Sequence, residues 1–161
     1  MSTPDFPFGL PDDSPEAVFL IDFSSEDVDF ELINSNFVQT WLQEVIRLEG
    51  KQLQHISYIF CSDEYLYQLN VDYLQHDTYT DVITFPYSEG EQVEGDIFIS
   101  IDRIRENAQT FGAGFDQELL RVMVHGVLHL CGYGDKTEEQ EREMRGKENE
   151  YLLVWEKMNN K

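Results

Sequence analysis

Basic residues are scarce in this chain: 11 Lys and Arg stand against 32 Asp and Glu, a net charge of −21. None occurs in residues 1–46 or 52–102. A chain of that sign binds naked nucleic acid weakly, because phosphate binding depends on cations and released counterions. Cysteine is nearly absent as well. Cys61 and Cys131 are too few for a disulfide framework, and a reduced, cytoplasmic setting is the default expectation. Long apolar runs are missing: nothing approaches the ~20 residues of a membrane helix. The stretch Ala17–Phe23, broken by Asp22 and preceded by acidic residues, is no signal peptide. What remains is 161 residues, 41% hydrophobic and 13% aromatic, enough for one core. Residues 1–16, with Pro4, Pro7, Pro11 and Pro15 beside Asp12 and Asp13, read as a flexible acidic tail. Residues 17–161 read as a single domain.

Periodicity places the elements. Ala17 to Phe23 reads as a strand, and Asn36 to Leu48 has helical period, started at Asn34 or Ser35 and stopped at Gly50. Gln54 to Phe60 is a strand on which His55 is a sheet-surface residue. Ser62 or Asp63 caps a helix running through Tyr73. Strands Val82–Pro86 and Asp96–Ile101 flank an acidic turn, Ser88 to Gly95, and suggest a hairpin. Three helices follow: Asp102 to about Phe111, an apolar one through Leu130, and a charged one from Thr137 through Trp155. The expected fold is α/β (α+β), a small mixed sheet of about four strands covered by about five helices.

The chemistry lies in the run from His125 to Asp135. His125 and His129 are four residues apart and share one helix face, since positions i and i+4 differ by only about 40° around the axis. Gly132 suits a left-handed helix end, and Asp135 follows where the reversed chain can face both imidazoles. Two nitrogens and one oxygen make a three-ligand zinc-type site with an open position for water. An isolated histidine pair is usually surface polarity. Here Leu119 to Leu130 is apolar nearly all round, so the pair is buried and needs partners. A shared cation supplies one. Cys131, roughly 200° past His129, points away from that site and reads, like Cys61, as a small core residue.

These residues resemble the H-G-x-L-H-L-x-G-Y-D-H motif of the YbeY family of metal-dependent endoribonucleases. Leu69-Asn70, Thr80 to Pro86, Gly95 to Ser100, and Met144 with Glu148 are similar to further stretches of that family. The likeness runs in order from about residue 17 to 155. It implies an endoribonuclease cutting single-stranded RNA in maturation of the small-subunit ribosomal RNA 3′ end, with a ribosomal protein or ribosome-associated factor as partner. It implies neither DNA nor membrane binding. On this reading residues 17–161 form a catalytic metallohydrolase domain with one Zn2+ or another divalent transition metal on His125, His129 and Asp135. Water or a ribose 2′-hydroxyl is the attacking group.

Two departures from the family pattern stand out. Asp135 replaces the usual third histidine, with Gly134 where the family usually has Asp; the added negative charge makes the metal a weaker Lewis acid. Leu74 stands where the family usually has Arg. The nearest replacements are His76 and Arg103 as catalytic candidates, with Arg105 and Arg121 as further phosphate contacts. Thr80 and Asp81 are candidate substrate-binding residues, Asp81 also a candidate partner for a ligand histidine's second nitrogen; their alternative role is a strand-entry turn bonding local backbone, the reading favoured for Asp96. The spacing also resembles metzincin metalloproteases, but those need Glu after the first histidine, and this chain has Gly126. The acidic surface fits a different class of function: a metal-bearing adaptor that docks on a basic partner and cleaves nothing.

Overall fold

The computed structural model describes residues 20–160. The expected tail and the first three residues of the expected first strand lie outside them. Nine elements follow in order: β1 (Ile21–Glu26), α1 (Ser35–Leu48), β2 (Gln52–Cys61), α2 (Asp63–Leu74), β3 (Val82–Pro86), β4 (Gln92–Ser100), α3 (Ile101–Phe111), α4 (Phe115–Leu130) and α5 (Glu138–Asn159). The sheet is four-stranded, ordered β1-β2-β4-β3. β1 and β4 each run parallel to β2, while β3 returns antiparallel to β4. A mixed sheet with five helices is therefore what the described residues show.

Each helix ends for a local reason. Gly50 (φ 74°) and Gly112 (φ 69°) take the left-handed backbone that stops α1 and α3. Ser62, Ser100 and Thr137 cap α2, α3 and α5 by accepting the amide hydrogens of Tyr65, Arg103 and Gln140. Strand boundaries differ from expectation: β1 continues to Glu26 rather than Phe23, and β2 runs from Gln52 to Cys61 rather than Gln54 to Phe60. β4 starts at Gln92 rather than Asp96, because Val93 pairs with Leu53 across β2 and is fully buried, so the hairpin turn shrinks to the residues before it.

The core lies between one sheet face and helices α1, α4 and α5. Ile56, Tyr58 and Phe60 of β2 and Ile97 and Ile99 of β4 project into it at alternate positions, as pleating requires. Trp41, Leu42, Val45 and Ile46 of α1 meet Tyr151 and Leu152 of α5 there. Each such side chain contributes about 1.5–3 kcal/mol on burial. The opposite sheet face carries a smaller cluster of Cys61, Leu66 and Ile83, covered by α2. α4 is the central helix, with ten buried residues in its 16. It packs so closely on β4 that a Cβ at Gly126 would stand 2.9 Å from Cδ1 and Cγ2 of Ile97. The Tyr58 hydroxyl also donates to the Met123 carbonyl at 2.8 Å, which fixes α4 along its axis.

Candidate metal centre

His125 and His129 project from the last turns of α4 with ring centroids 4.5 Å apart. Past Leu130 the chain turns back at Gly132 (φ 110°), where Tyr133 N–H bonds the Leu128 carbonyl at 3.0 Å. The return brings Asp135 to both rings: its Oδ2 lies 3.3 Å from His125 Nε2 and 3.2 Å from His129 Nε2. Gly134 leaves the space that Gln140 fills; the Gln140 amide oxygen accepts from the Lys136 and Thr137 N–H groups and ties the loop to α5.

The two remaining ring nitrogens decide the chemistry. His129 Nδ1 lies 2.9 Å from the Tyr133 carbonyl, which can only accept, so Nδ1 carries the hydrogen. His125 Nδ1 lies 2.7 Å from Glu148 Oε2. Burial pushes the Glu148 carboxyl up, but hydrogen bonds from His125 and Arg121 outweigh it and hold it below the ordinary carboxylate value, so it too accepts. In neutral form both imidazoles therefore aim an Nε2 lone pair at a carboxylate oxygen. Three acceptors converging like this repel unless a cation sits among them. For the His125 ring, burial opposes the charged form, yet Glu148 and Asp135 raise its pKa above the ordinary histidine value. The spacing fits a metal as well. Ligand bonds of about 2.0–2.1 Å at tetrahedral angles separate donors by about 3.3 Å, close to the two distances observed. Nitrogen and carboxylate donors of this kind suit zinc and its neighbours.

The centre opens into a groove of about 870 Å³. α4 packs against both β3 and α5. The α2–β3 connection and β3 contribute His76, Thr80, Asp81 and Thr84 to the lining, and Phe111 comes from the end of α3. The α4 and α5 side contributes Arg121, Lys136 and Arg145. A second opening beside it, sharing His125, Asp135 and Arg145, adds Arg142. Four of the 11 basic residues thus surround a single site.

The other candidates separate. Arg103 is committed elsewhere: Nη2 bonds Asp63 at 2.7 Å and Nη1 bonds Glu106 at 3.0 Å. Arg105 lies 3.9 Å from Asp102 and over the Phe115 ring. His76 is exposed on the groove rim. Asp81 faces the groove, with Asn107 Nδ2 3.3 Å from Oδ2, and burial raises its carboxyl pKa. It does not reach the second nitrogen of either candidate ligand histidine; Glu148 takes that of His125. Thr80 makes only a long 3.5 Å contact to the Val82 carbonyl, and Asp96 accepts from the Tyr87 hydroxyl at 2.6 Å rather than bonding backbone. His55 pairs with Asp22 at 2.8 Å on the sheet. Cys61 and Cys131 are both buried, their thiols pushed up to about 12 chiefly by that burial. The Glu148 role has a sequence signal: Met144, Glu148, Tyr151 and Leu152 are spaced for one buried helix face, so a carboxylate is placed among apolar positions. A glutamate at position 126, as a peptidase needs, has no room against Ile97.

Fold and site together define a small mixed α/β protein whose central helix presents two histidines to a returning carboxylate. A family model described as Endoribonuclease YbeY matches residues 21–156. The Endoribonuclease YbeY of Flavobacterium psychrophilum is 50% identical over 136 residues, 84% of this chain and 96% of the relative. That of Christiangramia forsetii is 47% identical over 135 residues, 84% of this chain and 94% of the relative. The solution structure of a Thermotoga maritima protein matches with a TM-score of 0.61 at 29% identity, covering 87% of this chain and 92% of that one. The chain belongs to the Endoribonuclease YbeY family.

Proposed function

We propose that this chain is a metal-dependent endoribonuclease that cuts single-stranded RNA during ribosomal RNA maturation, with His125, His129 and Asp135 holding one divalent transition metal, zinc first among them. The observation that carries the reading is the convergence of two imidazole Nε2 atoms and one carboxylate oxygen in an open groove. When bound, such an ion polarises a phosphoryl oxygen and lowers the pKa of water at its open position towards about 7. The chain's own residues prepare the rest. Glu148 and the Tyr133 carbonyl fix both rings with Nε2 turned to the site. Asp135 offsets one unit of the ion's charge, so its Lewis acidity is lower than in a three-histidine site. Arg121, Lys136, Arg142 and Arg145 are the cations that RNA phosphates would meet, standing among the carboxylates Asp81, Glu118, Glu138, Glu141 and Glu148 of the same lining. Thr80 and Asp81 on the facing wall would contact the strand.

The net charge of −21 supports a basic partner, a ribosomal protein or ribosome-associated factor, that supplies the field this chain lacks. No helix of the described residues is long and apolar enough to cross a membrane, and we take the site of action to be the cytoplasm. Elemental analysis of purified protein, beside cleavage of a single-stranded RNA with and without chelator, tests the reading. Metal-dependent cleavage that is lost in folded His129→Ala supports it. Metal-loaded protein that never cuts RNA, even beside ribosomal particles, overturns it in favour of a non-catalytic adaptor.

A further inference from the structure

Outside the lining of the groove, one carboxylate joins three segments. Glu49 follows the last residue of α1. It accepts from the Tyr133 hydroxyl at 2.9 Å and from the Tyr151 hydroxyl, and Lys147 Nζ stands 3.4 Å from it. Tyr133 belongs to the turn after α4, and Lys147 and Tyr151 to α5. The main chain of Tyr133 does something different: its carbonyl takes the hydrogen of His129 Nδ1 at 2.9 Å. The same residue is therefore held by its side chain and orients a ring with its backbone. Bonds to α4 itself, such as Tyr133 N–H to the Leu128 carbonyl, and packing of the ring against the core hold it as well.

We propose that Glu49, acting through Tyr133, is a positioning residue for the His129 imidazole, an inference that rests on the metal-dependent reading above. The bond to Glu49 sets the tilt of the Tyr133 peptide. That tilt sets the direction of its carbonyl, and the carbonyl selects the Nδ1–H tautomer and aims Nε2 at Asp135. Loss of the bond leaves the ligand in place but lets its direction vary.

The test compares wild type, Tyr133→Phe, Glu49→Ala and the double variant in two measurements: zinc affinity by competition with a chromophoric chelator, and imidazole 15N spectra of the metal-free protein. Each single variant should weaken zinc binding about tenfold, within the range found when partners of metal-ligating histidines are removed. The double variant should lose no more than the weaker-binding single variant, because both changes cut one chain of bonds. The His129 Nδ1–H signal should weaken in all three. A merely structural role would lower the melting temperature of the metal-free protein and leave zinc affinity and the imidazole signal unmoved, and that result would overturn the proposal. Additive losses would also overturn it. Wild-type protein that takes up no zinc would count against the metal reading instead, while the imidazole signal would still report on Glu49.

Discussion

His125 Nδ1 and Glu148 Oε2 lie 2.7 Å apart, joining α4 to α5 across 23 residues of sequence. The other oxygen of the same carboxylate takes Arg121 Nη1 at 2.9 Å. Glu148 thus holds the His125 ring and a groove arginine with one nearly buried group. Its position explains how a catalytic-type helix and an amphipathic terminal helix become one site: α5 is both the cover of the core and the support of the ligand.

Glu148→Gln should therefore act on metal and fold together. Removing a buried charge that faces Arg121 costs about 3 kcal/mol of stability, since the arginine is left without its ionic partner. Zinc affinity should fall by roughly 10–100-fold. Denaturant titration and chelator competition read the two effects separately, and unchanged zinc affinity would detach Glu148 from the centre.

Asp135 is the least conventional member of the proposed ligand set. Asp135→Ala should lose bound zinc as fully as His125→Ala or His129→Ala, whereas His55→Ala, whose ring pairs with Asp22 on the sheet, should keep it. Asp135→His should bind at least as well as wild type, because imidazole is an equally competent zinc ligand. Stoichiometric zinc in Asp135→Ala would remove Asp135 from the set.

Gly126 controls the distance between α4 and β4. A methyl group there would stand 2.9 Å from two Ile97 carbons in a filled core, so Gly126→Ala should cost about 1–3 kcal/mol by overpacking. Ile97→Val in the same protein should recover part of that loss, since it shortens one of the crowded branches. Thermal unfolding of the two variants and their combination measures the coupling; simple additivity would show that the contact is not the cause.

The helix pair His125 and His129, the return at Gly132 and Asp135 are legible in the sequence because each depends on local geometry: helical spacing, a left-handed turn, and a short loop. The strand and helix order is legible for the same reason, since apolar period marks each element. Long-range partners are another matter. That Glu148 rather than Asp81 meets the His125 ring depends on how α5 packs over α4, which no spacing within either segment specifies. Arg103 looks available in sequence but is bound to Asp63, a residue 40 positions away. Arg142 and Arg145 fall within the charged helix expected from Thr137 through Trp155, and Lys136 just before it. Lys136 adjoins Asp135 in the chain, whereas only folding places Arg142 and Arg145 beside the centre.

Glu49 gives the pH dependence a sign. Burial pushes its carboxyl up, but the Tyr151 and Tyr133 hydroxyls and Lys147 hold it below the ordinary carboxylate value of 4.5. A group with a depressed folded pKa stabilises the fold above its unfolded pKa, and that contribution disappears as pH falls through the folded value. Wild type should therefore exceed Glu49→Gln in stability by about 1–3 kcal/mol at pH 7. The gap should close below pH 4.5, as the carboxyl takes up its proton. Urea unfolding across pH 3–7 in about half-unit steps reads the gap directly. A constant difference down to the acid limit would show that packing, not charge, carries the effect.

The distribution of basic residues sets how RNA binding responds to salt. Each phosphate neutralised on a single strand contributes about −0.7 to the slope of log K against log salt. Arg103 and Arg105 are paired away from the groove, and Arg121 is largely held by Glu148 and Asn149. Lys136, Arg142 and Arg145 are exposed around the centre, and among the described residues no carboxylate lies within 4.0 Å of the side-chain nitrogens of Lys136 or Arg142. Three such contacts give a slope of about −2. Lys136→Ala, Arg142→Ala and Arg145→Ala should each make it shallower by about 0.7, while Arg105→Ala should leave it alone. A basic ribosomal partner should raise the affinity further, by supplying positive field beyond the rim. Titration of labelled single-stranded RNA over a salt series, alone and with ribosomal particles, measures all of this. A slope untouched by the three substitutions would mean that the strand does not pass along α5. Absence of binding in every condition would count against RNA as the substrate.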